Sequence, residues 1–193
     1  MTIALPAPAI GRETITADAR ITSTAGPRET LNFATGATSL GTFLVARSNN
    51  GICAILFGGS RGELMCDLHE RFPGAELVAN EDDLQTLVAD VAEFIEAPTT
   101  GLRLPLDIRG TSFQKKVWQA LRDIPVGTTA SYADIARRIG TPKAVRAVAQ
   151  ACAANTIAVA IPCHRVIKND GALSGYRWGV DRKQALLDKE ARQ

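Results

Sequence analysis

The apolar residues of this 193-residue chain change their period partway along it, and that change limits what it can fold into. Residues 41–46 and 52–57 are short β-type runs on either side of Arg47-Ser48-Asn49-Asn50-Gly51, the pattern of a hairpin. Helical spacing takes over at Leu84, Leu87, Val88, Val91 and Ile95 and stops at Pro98. A shorter helix is predicted over 63–72, ended by Pro73-Gly74, and a last extended segment over 104–108. Beyond Thr111 the periodic segments are helical. The pattern is that of an α+β unit followed by a mostly helical one. Residues 1–28, rich in Ala, Thr and Pro and without an apolar period, read as a mobile tail. The predicted domains are therefore 29–107 and 108–193.

Charge divides at the same place. Residues 1–108 carry 7 Lys and Arg against 14 Asp and Glu, while 109–193 carry 15 against 6. The basic half is the one to test for nucleic acid, although an unevenly charged solvated surface would also produce such a split. No apolar run approaches the ~20 residues of a membrane span, and no basic region precedes an apolar stretch at the N-terminus. The expectation is a cytoplasmic protein whose four cysteines stay reduced. Cys66 and His69 have the spacing of two zinc ligands, but no second pair follows, so no metal site is expected. Cys53, inside an apolar run, reads as core.

The basic half opens with a capping box, Thr111 as N-cap and Gln114 reaching back, ahead of the stripe Phe113, Val117 and Leu121. Ser131 is the predicted N-cap of a helix running through Tyr132 to Ile139. Gly140 supplies a left-handed stop, Thr141 a new N-cap, and a second helix is predicted from Pro142 to about Ala154. Two short helices joined this way make either an ordinary helical hairpin or a helix-turn-helix. Arg137, Arg138, Lys143 and Arg146 cluster at the turn, where phosphates would lie, and favour the second. The second helix carries Ala144, Ala147 and further alanines, small enough for close approach to a groove.

An apolar run then ends at Cys163, between Pro162 and His164. An ordinary thiol near pKa ~8.5 is only a few per cent thiolate at neutral pH, and an imidazole that accepts its proton raises that fraction. Beside a basic helix-turn-helix, such a cysteine suggests a soft nucleophile aimed at nucleic acid.

Ile161-Pro162-Cys163-His164-Arg165-Val166 resembles the signature of the O6-alkylguanine-DNA alkyltransferases. The segments at 105–111, 117–121, 142–148, 151–155 and 173–179 are similar to the C-terminal half of the bacterial adaptive-response proteins. The resemblance implies a small ribonuclease-H-like antiparallel-sheet domain followed by a winged helix-turn-helix-type domain. It also implies a monomer that moves an alkyl group from guanine O6, less so thymine O4, in double-stranded DNA onto its own cysteine, once, without a cofactor. Cys163 matches the acceptor, His164 the base acting through a water, Glu190 the carboxylate that orients it, and Asn155 the residue holding the turn. Tyr132 and Arg146 match the pair that flips the nucleotide. Lys143, Ala144, Ala147 and Gln150 lie where the family's DNA-contacting helix does. Tyr176 matches the pocket wall, the carbonyls of Cys163 and Val166 the acceptors for the base amine, and the Arg177 amide the donor to O6. Trp178 stands where some relatives have glycine, implying a narrower pocket. Cys152 reads as packing.

The family's regulatory members also carry a zinc module and a second helix-turn-helix, for which this chain has no room, so a stand-alone repair protein is expected. A DNA-binding regulator would need no nucleophile, and a cysteine hydrolase would leave the basic helix-turn-helix unexplained.

Overall fold

The computed structural model describes residues 28–98 and 101–192, so all but the last residue of the expected tail lies outside the described residues. The first three strands, β1 (Thr30–Thr38), β2 (Gly41–Ser48) and β3 (Gly51–Gly58), form an antiparallel meander. After helix α1 (Arg61–Arg71), strand β4 (Glu76–Ala79) returns to pair with β1 in parallel, giving the order β3-β2-β1-β4. The sheet is therefore mixed, which corrects the antiparallel sheet expected from the resemblance. The hairpin between β2 and β3 is also tighter than expected, because Arg47, Ser48 and Gly51 pair within the ladder. Strand β1 is hidden in sequence by its Asn, Ala and Gly content. Its Gly36 is required by packing: a Cβ there would lie 2.6 Å from the Phe43 ring of β2.

Helix α1 begins two residues earlier than expected because Ser60 caps it, accepting from the Glu63 amide. Helix α2 (Gln85–Glu96) buries Leu87, Val91, Phe94 and Ile95. Helix α3 (Ser112–Arg122) starts at the expected capping box, with both reciprocal bonds between Thr111 and Gln114 formed. Its buried face is wider than expected and includes Trp118, whose indole donates to the Ala151 carbonyl at 2.9 Å, while Phe113 is only half-buried.

Strand β5 (Ala130–Ser131) leads directly into α4 (Tyr132–Arg138), which Ser131 caps with a second reciprocal box. At its end Gly140 takes φ +76°, and the amides of Gly140 and Thr141 bond back to Arg137 and Ala136. This satisfies carbonyls that the helix end would leave unpaired. Thr141 does not cap the next helix. Residues 141–144 make a further turn, and α5 (Val145–Ala153) begins at Val145 with Ala144 as N-cap, which corrects the expected start at Pro142. Strand β6 (Val166–Ile167) pairs in parallel with β5, and helix α6 (Val180–Ala191) closes the chain. One apolar core runs through the sheet and the helices. No helix among the described residues is long and apolar enough to cross a membrane.

Candidate active site and the adjoining basic helices

The loop between α5 and Cys163 is shaped by one side chain. Asn155 is fully buried, and its amide nitrogen lies within hydrogen-bond reach of the Ile157 carbonyl (3.3 Å), the Ile161 carbonyl (2.9 Å) and Cys163 Sγ (3.3 Å). Its oxygen accepts from the Ile157 amide at 2.9 Å. Inside this loop Val159 takes φ +64°, a conformation that costs a non-glycine residue about 1–3 kcal/mol and persists only where the surroundings enforce it. The sheet helps to enforce it. Ile55 of β3 exchanges backbone bonds with Thr156 and Ala158, both 2.9 Å, and the Thr156 hydroxyl donates to the Cys53 carbonyl at 3.1 Å.

Cys163–Arg165 form a single 3-10 turn, all three residues buried. His164 Nε2 lies 2.8 Å from Glu190 Oε1 on α6. Arg165 grips the same carboxylate with Nε (3.1 and 3.0 Å) and Nη2 (2.9 Å), and its Nη1 donates to the Ile124 carbonyl at 2.6 Å. Burial alone would raise the Glu190 carboxyl, but the hydrogen bonds from His164 and Arg165 outweigh it and hold the group down at about 2. Glu190 is thus ionised and can only accept, so His164 Nε2 carries the proton and Nδ1 keeps its lone pair. That Nδ1 is buried without a protein partner. Burial also pulls the imidazole down, against Glu190, so the ring rests neutral and able to take a proton. Burial pushes the Cys163 thiol up to about 11, opposed by the Asn155 amide and by Lys183. The buried thiol is therefore not freely ionised at rest, and a base has to take its proton.

Cys163 opens onto a cavity of about 370 Å³, lined also by Tyr132, Cys152, Gly175, Tyr176 and Arg177. Tyr176 stands edge-on to His164 at 6.5 Å and to Trp178 at 5.2 Å. Trp178 is not among the cavity-lining residues: it is buried behind Tyr176, edge-on to Phe57 of β3. The narrowing expected from it would have to pass through Tyr176. Arg177 pairs with Asp67 of α1 at 2.8 Å. Cys152 is buried, as expected of a packing residue, yet it also faces the cavity. The Val166 carbonyl, expected to receive a base amine, already accepts from Ser174 Oγ (3.2 Å) and Lys183 Nζ (2.5 Å).

On the outer side, Arg137, Arg138, Lys143, Arg146 and Gln150 are exposed, while Ala144 and Ala147 are half-buried. Lys143 lies in the turn and Ala144 at the N-cap, so only Arg146, Ala147 and Gln150 of the expected contact set are on α5 itself. Arg165, Ser174 and Lys183 were not singled out as site residues. Lys183 falls on the face of α6 that holds Leu186 and Glu190, and that spacing was a readable signal. No group of three His, Cys, Asp or Glu among the described residues could hold a metal ion.

A buried cysteine followed by an imidazole fixed on a carboxylate, one loop away from the basic pair α4 and α5, has the make-up of a site for a nucleophilic thiol. Residues 112–192 match the family model for the DNA-binding domain of 6-O-methylguanine DNA methyltransferase. The chain is 52% identical over 166 residues to the bifunctional transcriptional activator/DNA repair enzyme Ada of Escherichia coli, covering 86% of this chain and 47% of that one. It is 41% identical over 154 residues to the inducible methylated-DNA–protein-cysteine methyltransferase of Bacillus subtilis, covering 78% and 84%. The Mycobacterium tuberculosis OGT solved in complex with DNA superposes with a TM-score of 0.70 at 34% identity, covering 83% and 93%. The chain belongs to the methylated-DNA–protein-cysteine methyltransferase family. It spans about half the length of the Ada proteins it matches, 47% and 43%.

Proposed function

We propose that this protein repairs alkylated double-stranded DNA by moving the alkyl group from guanine O6, and less readily from thymine O4, to Cys163 in a single turnover. The observation that carries this reading is the Cys163 sulfur at the cavity wall, bonded to Asn155 and followed by a His164–Glu190 pair. His164 Nδ1 takes the thiol proton through a water, and the sulfur attacks the alkyl carbon in line with the departing base. The thioether product lacks a good leaving group, so the protein does not turn over. Alkylated guanine cannot reach a thiol while stacked. Arg146, at the exposed start of α5, fills the gap from the minor groove while Tyr132 presses on the backbone and faces the flipped base. Lys143, Ala144, Ala147 and Gln150 follow the groove. The carbonyls of Cys163 and Val166 and the Arg177 amide read the base edge, and Tyr176 stacks beside it. Trp178 acts by backing Tyr176, favouring methyl over larger groups.

No cofactor enters this scheme, since the protein is its own acceptor. We read 29–107 as a ribonuclease-H-like domain and 108–193 as a winged helix-turn-helix domain, acting as a cytoplasmic monomer. The meander with a parallel fourth strand and the β5–β6 pair beside α4 support that reading. Mass spectrometry after incubation with an O6-methylguanine duplex tests the function. One permanent added methyl on the Cys163 peptide is expected, and an unchanged mass or repeated turnover would overturn it.

A further inference from the structure

Two buried side chains that touch the proposed site, Ser174 and Lys183, have no part in the scheme above. Ser174 is 7% exposed, and its hydroxyl accepts from the Tyr132 hydroxyl at 2.7 Å and from Lys183 Nζ at 2.8 Å. Its own proton goes to the Val166 carbonyl at 3.2 Å. Lys183 is fully buried, and its hydrogen-bond partners are this hydroxyl and the Val166 carbonyl rather than a carboxylate. The titratable groups that face it are Cys163, Cys152 and His164. A serine hydroxyl has one proton and two lone pairs, and here all are engaged. The single proton can point to Val166 or to Tyr132, but not to both.

We propose that Ser174 is a positioning residue that couples recognition of the base to protonation of the leaving group. This rests on the alkyl-transfer reading. When the amine of a flipped base takes the Val166 carbonyl, the Ser174 proton turns to the Tyr132 oxygen, and Tyr132 is left free to donate to the base. As Cys163 Sγ forms its bond to the alkyl carbon, the bond from that carbon to the base oxygen breaks and its electron pair stays on the base. Tyr132 passes its phenolic proton to the base, Ser174 passes its proton to Tyr132, and Lys183 passes one to Ser174. Both hydroxyls are restored. A thiolate and an ammonium have become a neutral thioether and a neutral amine, and the proton first taken from Cys163 remains on His164. Burial pulls Lys183 below the ordinary lysine value, which eases this last release.

The chemistry separates the relay from mere support of the thiol. Iodide leaves without a proton, so alkylation of Cys163 by iodoacetamide needs no relay, whereas methyl transfer from an O6-methylguanine duplex does. Single-turnover rates of both reactions, followed on the Cys163 peptide, are compared for wild type, Ser174→Ala and Ser174→Thr. Ser174→Ala is expected to slow methyl transfer about 10-fold or more, as loss of general-acid assistance does, with the iodoacetamide rate nearly unchanged. Ser174→Thr keeps the hydroxyl and is expected to restore transfer. Equal losses in both reactions, no loss in Ser174→Ala, or no recovery in a folded Ser174→Thr would overturn the relay. If wild type itself fails to take the methyl group, the alkyl-transfer reading falls first and the relay with it.

Discussion

At the residue scale, Glu190 decides more than any other side chain of the helical part. It holds the His164 tautomer, neutralises Arg165 and is 3% exposed. Removing one partner of a buried pair costs about 3–5 kcal/mol, because the other charge is left uncompensated. Glu190→Gln is expected to lower stability by that order in denaturant unfolding and to cut methyl transfer, since the imidazole loses its anchor. The pH dependence has a definite sign. The folded carboxyl is held at about 2, below its ordinary value of 4.5. Its stabilisation is therefore present above the ordinary carboxylate range and lost as pH falls toward 2. Wild type should lose stability across that window more steeply than Glu190→Gln, as acid titration followed by circular dichroism would report. Cys163→Ala, by contrast, is expected to abolish transfer while leaving duplex binding largely intact; comparable loss of both in a gel-shift assay would contradict that division.

At the scale of elements, the pair α4 and α5 is divided between a capped start and an exposed basic face. Ser131 joins α4 to β5, β5 pairs with β6, and β6 follows the Cys163 turn, so the start of α4 is tied to the Cys163 turn through the β5–β6 ladder. Arg146 sits at the exposed start of α5 and Tyr132 at the start of α4. Arg146→Ala is expected to slow repair in duplex far more than reaction with free alkylated guanine, because only the duplex needs a gap filled. Equal losses on the two substrates would show that it does not serve flipping. The reciprocal cap at Thr111, the N-cap at Ser131 and the Gly140 stop were legible in the sequence, since each depends on residues a few positions apart; the second half of the Ser131 box, Asp134, was not read. The true start of α5 was not. Thr141-Pro142 is a sound local signal for a helix, but here the chain makes one more turn before it.

At the scale of the whole molecule, the sheet acts as a brace for the active-site loop. Arg182 of α6 donates to the Leu40 carbonyl (2.8 Å), the Trp178 carbonyl (2.8 Å) and the Gly58 carbonyl (3.4 Å), and lies over the Phe57 ring. Lys189 pairs with Glu96 of α2 at 2.5 Å. Hydrogen bonds made by a charged group contribute about 1.5–3 kcal/mol each. Arg182→Ala should therefore lower stability by about 2 kcal/mol or more, and calorimetry should still show one transition because the core is continuous. Two separated transitions would mean that the sheet and the helices do not unfold together.

What the sequence determined by itself is whatever acts over a few residues: the caps at Thr111 and Ser131, the left-handed Gly140, the basic turn, and the signature around Cys163 that implied Asn155, His164 and Glu190. Strands β1 and β4 were not legible, because Asn32, Ala34, Gly36 and Ala37 break the strand pattern of β1 and β4 is only four residues long, so both are fixed by pairing, β1 with β2 and β4 with β1. Tertiary structure alone decided that Arg165 shares Glu190, that Trp178 stands behind Tyr176, and that Ser174 links Tyr132 to Lys183. The physical reason is common to all three. A hydrogen bond or ring contact between residues far apart in the chain leaves no periodic trace, and burial, which pushes the Cys163 thiol up and pulls His164 and Lys183 down, is a property of the packed whole.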